Sequence, residues 1–197
     1  MKAFIPYIFI SIFISTSLFS QTDTLVDTRN GKSYKTVQIG EQIWMAENLN
    51  FKTEKSYCYK NNQKNCETYG RLYQYEIATK VCPDGWHLPS DQEWMELEIT
   101  LGMAAADTAK GDTWRGTNQG TQLLEGGETG FNAKLGGYRN PPSNYFLEGM
   151  HTFFWTSTPT KNGYRMWYRQ MIKGNPQILR HNQMQNWGMS VRCIKDE

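Results

Sequence analysis

The alternation of apolar and polar residues near the start of the chain is typical of β-strands. Residues 24–51 carry this alternation on either side of two turn signals, Asn30-Gly31 and Gly40-Glu41. Both residues of an Asn-Gly pair tolerate positive φ, which a two-residue hairpin loop requires. The segment therefore predicts three short antiparallel strands joined at these two turns.

Two later segments have the periodicity of helices. Residues 70–82 place their apolar residues at helical spacing, and Pro83 prevents this first helix from continuing. The apolar positions are Leu72, Tyr73, Ile77 and Val81. A second helix is predicted over residues 90–102, because Ser90 and Glu93 have the spacing of a capping box.

The remaining segments predict loops and strands. Residues 52–69 are interpreted as a polar loop, and residues 103–130 as a second loop with a short helix near 121–124. The predicted strands are residues 131–135, ended by the glycine pair 136–137, then residues 152–158, then a closing antiparallel meander over residues 164–197. Since no repeat or low-complexity linker divides the chain, residues 21–197 are expected to form a single domain.

The first 20 residues have the pattern of a secretory signal peptide. Lys2 precedes an apolar run over residues 3–14, and small hydroxyl residues follow it up to Ser20, after which cleavage is expected. The apolar run is short for a membrane span, although an uncleaved anchor is the alternative interpretation. The mature protein is therefore expected to be secreted or held at the outer cell surface, with no membrane span.

Charge and composition narrow the possible partners. Of the 21 basic residues only Lys2 lies in the predicted signal, which leaves 20 basic against 19 acidic residues. A nearly neutral chain has no electrostatic footprint for nucleic acid or for an anionic membrane. The aromatic content of 14% suits interfaces and sugar sites, and it equally suits the core of an irregular fold.

Four cysteines lie in the exported part, an even number that predicts two disulfides. Three pairings are possible. The short loop between Cys58 and Cys66 closes easily, which favours that pair and leaves Cys82 to bond to Cys193. A zinc site is the rival interpretation, but there is no CxxC pair and no matched histidine spacing.

Six motifs follow one another in a set order along the chain. They are "GKSYKTVQIGEQIWMAENLN", "CYKNNQKNCETYGRLYQY", "CPDGWHLPSDQEW", "LGGYRN", "FFWTST" and "WGMSVRCIKD". Over about residues 26–196 this ordered set resembles the Fibrobacter succinogenes major paralogous domain family. It is also similar to related bacterial domains with a "WHLP"-type turn, a "WTST"-type strand and a terminal "SVRC".

The resemblance implies an α+β, C-type-lectin-like fold that is rich in loops. In that fold two helices flank a twisted, mostly antiparallel sheet, and the terminal strands come together. It also implies a disulfide from the end of the first helix to the last strand, which fits the pairing of Cys82 with Cys193. The family implies a secreted or surface module and supplies no established catalytic residue.

The segment "CPDGWHLPSDQEW" (residues 82–94) has the composition of a catalytic site, but its residues have structural explanations. His87 is the one residue of the segment to which the sequence assigns no particular structural role. The favoured interpretation is a structural histidine held by hydrogen bonds. The chain lacks the sequence triplets that calcium-dependent sugar-binding lectins commonly carry. The acidic candidates Asp107, Asp112, Glu125 and Glu128 have the spacing of no known site. No metal and no cofactor are therefore predicted.

Glycoside hydrolysis would need a pair of carboxylates. Glu93, Glu96 and Glu98 share the second predicted helix, where capping and a solvated face are the favoured interpretation. An extracellular enzyme that acts on polysaccharide or on a protein side chain remains the alternative function. A purely structural envelope component is a third possibility.

The leading hypothesis is non-catalytic binding of a glycan or an extracellular protein, without calcium. Such binding needs exposed aromatic faces beside fixed hydrogen-bond donors. The long loop region and the closing meander supply these residue types. The candidate ligand-binding residues are Trp114, Arg115, Arg139, Asn144, Tyr145, Trp167 and Arg169.

Overall fold

The structure, a computed structural model, describes residues 19–197, with side chains from residue 23 onward. The predicted signal peptide lies outside the described residues, except for the backbone of its last two positions. Among the described residues, no helix combines the length and the apolar character that crossing a membrane requires.

Within residues 19–197 the chain forms two β-sheets and several short helices. The strands are β1 (Phe19–Asp27), β2 (Lys32–Ile39), β3 (Gln42–Met45), β4 (Ser56–Tyr57), β5 (Leu72–Gln74), β6 (Trp86–His87), β7 (Thr113–Arg115), β8 (Gly136–Asn140), β9 (Asn144–Glu148), β10 (His151–Pro159), β11 (Arg165–Ile172), β12 (Ile178–Met184), β13 (Gly188–Met189) and β14 (Ile194–Lys195). The α-helices are α1 (Gln63–Tyr69), α2 (Tyr75–Ala78), α3 (Asp91–Thr100), α4 (Ala105–Thr108) and α5 (Gln119–Leu123), and a 3-10 turn spans Tyr59–Asn61.

The first sheet has the strand order β1-β2-β3-β14-β6. Its first three strands are antiparallel, as predicted, and a two-residue turn joins Ile39 to Gln42. The first turn is longer than the predicted two residues, since Asp27 pairs with Lys32. The N–H groups of Asn30 and Gly31 both donate to the Asp27 carbonyl, and this closes a four-residue turn.

The second sheet has the order β4-β5-β13-β8-β10-β11-β12-β7, and β9 pairs with β8. Strands β11 and β12 are antiparallel, as predicted for the first part of the closing meander, and β10, predicted as a strand over residues 152–158, pairs antiparallel with β11. The last part of that prediction is wrong, because residues 188–197 leave the meander. Strand β13 pairs with β5 and β8, and β14 pairs with β3 and β6. The end of the chain therefore connects the two sheets.

The helix α3 begins as the sequence predicts. The Ser90 Oγ accepts a hydrogen bond from the Glu93 N–H (3.1 Å), and the Glu93 carboxylate accepts one from the Ser90 N–H (2.6 Å). These two bonds satisfy N–H groups at the start of a helix that would otherwise lack partners. The capping-box prediction is confirmed.

The prediction of one helix over residues 70–82 is wrong. That segment holds strand β5 followed by α2, a single helical turn. Tyr73 pairs with both Ser56 and Met189, so β5 is an inner strand that is buried on both faces. An apolar run of this length fits a buried strand or a helix equally well. The polar loop predicted over residues 52–69 likewise contains α1.

The strand predicted over residues 131–135 is displaced to β8, which includes the glycine pair expected to end it. At Gly137 φ is +64°, and a Cβ there would lie 2.2 Å from the Phe146 carbonyl oxygen. Glycine is therefore required where β8 and β9 approach each other.

Two hydrophobic cores flank the second sheet. One contains Tyr73, Trp155 and Val191, and the other contains Trp94 and Phe154. The fold is a mixed α/β arrangement with more strand than helix, rather than two helices that flank one sheet. Helix α3, with ten residues, is the longest in the described part of the chain.

Both predicted disulfides are present. Cys58 is bonded to Cys66, and Cys82 to Cys193, so none of the four cysteines is free. The second bond joins the segment before β6 to the segment between β13 and β14. It therefore ties the middle of the chain to the residues that connect the sheets.

Candidate functional site

His87 is held between two carboxylates. Its Nδ1 lies 2.6 Å from an Asp196 oxygen, and its Nε2 lies 2.7 Å from a Glu93 oxygen. Burial lowers the pKa of His87, but the hydrogen bonds with Asp196 and Glu93 outweigh it and raise that pKa overall. Both ring nitrogens are engaged, so neither is free to take a proton from a substrate. This arrangement supports the structural interpretation of His87.

The raised pKa makes the His87 contribution to stability dependent on pH. The protonated ring is favoured in the folded state, so its contribution is complete below the ordinary histidine pKa of 6.5 and is lost as the pH rises through the raised value. We expect the stability difference between wild type and His87→Gln to shrink in that direction. Urea unfolding at a series of pH values measures it.

His151→Gln is the matched control for this experiment. Burial lowers the pKa of His151, so its contribution to stability should increase with rising pH. A His87→Gln difference that is independent of pH would contradict the proposed ion pairs.

The inner face of α3 carries buried carboxylates rather than a solvated surface. Glu98 is fully buried and bonds to Arg115 (2.9 Å) and to Arg169 (2.6 Å). Asp91 bonds to Arg169 and to Arg180, each at 2.6 Å. Burial raises the pKa of Asp91, but the hydrogen bond from Arg180 and the charge of Arg169 lower it overall. We call these five residues the ion cluster.

The ion cluster corrects three sequence-based interpretations. Glu98 does not belong to a solvated face. Arg115 and Arg169, proposed as ligand-binding residues, are 2% and 0% exposed and are bonded to Glu98. The cause is the strand alternation, which turns both arginines toward α3. Neither is accessible to a ligand.

The terminal "SVRC" motif is structural as well. Arg192 is fully buried, and it donates to the Asn48 side chain and to three backbone carbonyls. Burial lowers its pKa to about 9. The guanidinium thus donates hydrogen bonds to backbone carbonyls of neighbouring segments. The adjacent Cys193 forms the long-range disulfide.

Three of the proposed ligand residues lie together on the β8–β9 hairpin. The Arg139 guanidinium lies 3.9 Å from the centre of the Tyr57 ring, and only 7% of Arg139 is exposed. The Tyr145 hydroxyl lies 2.8 Å from the Asn61 side-chain oxygen, and Asn144 is exposed. These contacts hold the hairpin against the loop that the Cys58–Cys66 bond closes.

Trp114 lies far from this hairpin. It is half-buried on β7, opposite Leu179, at the edge of the second sheet. Four strand spacings separate β7 from β8, a distance of about 19 Å. The seven proposed residues therefore do not form one site.

Trp167 lines an open cleft beside the turn between β10 and β11. The volume of the cleft is about 580 Å³. Its lining residues are Thr160, Lys161, Asn162, Arg165, Trp167 and Asn182, which we call the Trp167 cleft. Of these, the sequence identified only Trp167. The polar turn "TKNG" at residues 160–163 is the signal that could have indicated the others.

The indole of Trp167 is held in place from inside the protein. The Arg180 guanidinium lies 3.5 Å from the ring centre, and Gly111 leaves room for the ring, since a Cβ there would lie 3.1 Å from it. Arg180 is itself fixed by Asp91 and by the Ala109 carbonyl (3.0 Å). The ion cluster therefore orients the aromatic surface of the cleft.

The turn that borders the cleft is also ordered by hydrogen bonds. The Thr160 N–H donates to the Arg165 carbonyl (2.8 Å), and the Thr160 hydroxyl lies 2.7 Å from the Asn162 side-chain oxygen. Amide and hydroxyl groups thus lie beside a fixed aromatic ring, the combination that sugar recognition uses.

Three of the four acidic residues considered for calcium, all but Glu128, are paired with basic side chains. Asp107 pairs with Lys110, Asp112 with His181, and Glu125 with Lys134. Across residues 19–197 no group of three or more His, Cys, Asp or Glu side chains is placed to hold a metal ion.

The fold and its contacts define a disulfide-linked α/β module whose sequence motifs build the core, with an aromatic cleft outside them. The chain belongs to the Fibrobacter succinogenes major domain family, whose model matches residues 37–195. The match begins within β2, slightly later than the motifs suggested. No curated protein and no solved structure shows significant similarity to the chain.

Proposed function

We propose that the protein is a secreted or surface-exposed, non-catalytic module that binds a glycan in the Trp167 cleft. The observation that carries this proposal is the half-buried indole of Trp167, which Arg180 fixes at 3.5 Å and which lines an open cleft. A rigid aromatic surface can stack on the apolar face of a sugar ring with little loss of conformational entropy.

Polar side chains beside the indole could form hydrogen bonds to a sugar. The side chains of Thr160, Asn162 and Asn182 supply both donors and acceptors for sugar hydroxyls. We propose that binding needs no calcium, since the lining contains no carboxylate and calcium takes six to eight oxygen ligands.

Two further features support a secreted, C-type-lectin-like module. Two disulfides are typical of proteins in oxidising compartments. The beginning and the end of the domain meet in one sheet, where β14 pairs with β3, as such a fold requires. Chemical identification of the N-terminus of the exported protein would test the proposed cleavage after Ser20.

Replacing Trp167 with alanine should weaken glycan binding at least about tenfold, because the central aromatic anchor of a site carries much of its affinity. Titration of the purified protein with glycans retained from an array measures the loss. Trp167→Phe keeps an aromatic surface and should retain part of the affinity.

Tyr164→Ala is the matched control, since Tyr164 is 76% exposed near the same turn but does not line the cleft. It should bind like wild type. Equal binding by wild type and Trp167→Ala would contradict the proposed site. If the module binds a protein partner and no glycan, the proposed ligand class is wrong.

A further inference from the structure

The Trp167 cleft is lined by positive charge alone. Lys161 and Arg165 are its charged residues, and both are exposed. In the part of the chain that the structure describes, neither forms an ion pair; the ion pairs there involve other residues. The mature chain is almost neutral, so this local excess does not follow from its composition.

The ion cluster behind the indole adds to this potential. It contains three arginines, Arg115, Arg169 and Arg180, against the carboxylates of Asp91 and Glu98. The arginine that contacts the Trp167 ring, Arg180, is therefore part of a group with one excess positive charge. A cation on one face of an aromatic ring draws electron density toward that face. The opposite face is then less attractive to a cationic ligand.

Lys161 and Arg165 are placed so that both can contact one ligand in the cleft. Lys161 belongs to the ordered turn, and Arg165 begins β11 two positions before Trp167. Residues two apart in a strand share a face, so Arg165 and Trp167 lie on the same side of the sheet. A sugar stacked on the indole would place an acidic substituent within reach of the Arg165 guanidinium, which suits carboxylate and sulfate groups.

We infer that the ligand of the Trp167 cleft is an acidic glycan that carries carboxylate or sulfate groups. This inference rests on the proposed function, because it names the ligand class of the same site. The indole binds the sugar ring, and the two cations select the charged substituent. Since both cations are exposed, they supply selectivity and a salt-dependent part of the affinity.

The test uses the mature protein with four polymers of known chemistry. Polygalacturonate and alginate carry carboxylates, dextran sulfate carries sulfates, and dextran is its neutral counterpart. We expect at least one acidic polymer to bind ten times or more tightly than dextran, and its affinity to fall as salt is raised. The acidic polymers that bind identify the substituent.

A charge-matched pair of double variants separates site recognition from general attraction. Lys161→Ala/Arg165→Ala should lose most of the preference for the acidic polymer. Lys52→Ala/Lys80→Ala removes the same charge from exposed positions outside the cleft and should bind within about twofold of wild type. Thermal unfolding of each variant confirms that it is folded.

The outcomes distinguish the two levels of the proposal. Binding of dextran as tight as that of all three acidic polymers, with dependence on Trp167, would overturn the acidic-glycan inference and leave the proposed function standing. Equal losses in both double variants would also overturn the inference. Polymer binding that is indifferent to Trp167→Ala, or no binding at all, would overturn the proposed function itself.

Discussion

Replacing Glu98 with alanine is expected to lower the free energy of unfolding by about 3–5 kcal/mol. Glu98 is fully buried and is bonded to Arg115 and Arg169, which are themselves 2% and 0% exposed. Without this carboxylate, two guanidinium groups remain in the core with too little negative charge to balance them. Urea denaturation followed by far-UV circular dichroism measures the change.

Glu96→Ala is the control on the same helix. Glu96 is exposed, and within the described part of the chain its carboxylate bonds only to the side chains of Gln42 and Gln92. Its removal should change stability by no more than about 0.5 kcal/mol. Glu98→Gln keeps the shape but not the charge and should also be strongly destabilising. Similar stabilities for Glu98→Ala and Glu96→Ala would show that the ion cluster is not the electrostatic centre described here.

Removing the Cys82–Cys193 disulfide is expected to cost about 5 kcal/mol, which is the loop-closure entropy of its 111-residue separation. This loss is comparable to the whole stability of many domains, so the double alanine variant should be marginally folded. The bond also anchors the residues that connect the two sheets. Denaturant unfolding of the oxidised protein and the variant measures the difference.

The Cys58–Cys66 bond provides an internal comparison. Its separation is only 8 residues, for which the same relation gives about 2.5 kcal/mol. We therefore expect its double alanine variant to remain folded at room temperature. A larger loss for the short loop than for the long one would contradict this account of the two bonds.

Features that depend on neighbouring residues could be predicted from the sequence. The capping box of Ser90 and Glu93, the turn at Gly40 and the short disulfide loop each follow from chemistry within a few positions. Strand β5 could not be predicted in this way. Its apolar residues have helical spacing, and only pairing with β4 and β13, remote in sequence, makes it a strand.

In the candidate site, too, the residue types could be read from the sequence, but their partners from other strands and helices could not. Trp167 could be recognised as an aromatic residue of the predicted meander, but its partner Arg180 comes from the neighbouring strand β12. Arg115 and Arg169 resembled ligand-binding residues until pairing with Glu98 placed them in the core. A lone arginine in a sequence does not reveal whether its carboxylate partner is a ligand or a buried glutamate.

Two of the six motifs have structural roles that involve no ligand. The motif around His87 caps α3 and holds Asp196, and the terminal motif supplies Arg192 and Cys193 to the core. The Trp167 cleft lies outside these motifs, in the turn between β10 and β11 and on the strands beside it. The proposed ligand specificity therefore resides in residues that these motifs do not include.

Glycan binding in the Trp167 cleft is tested most directly by titrating wild type and Trp167→Ala with one set of neutral and acidic glycans. Both proteins should first be shown to unfold at similar temperatures. We expect wild type to bind at least one acidic glycan and Trp167→Ala to bind it at least about tenfold more weakly. Equal affinities of the two proteins for every glycan in the set, or no binding by wild type, would contradict this expectation.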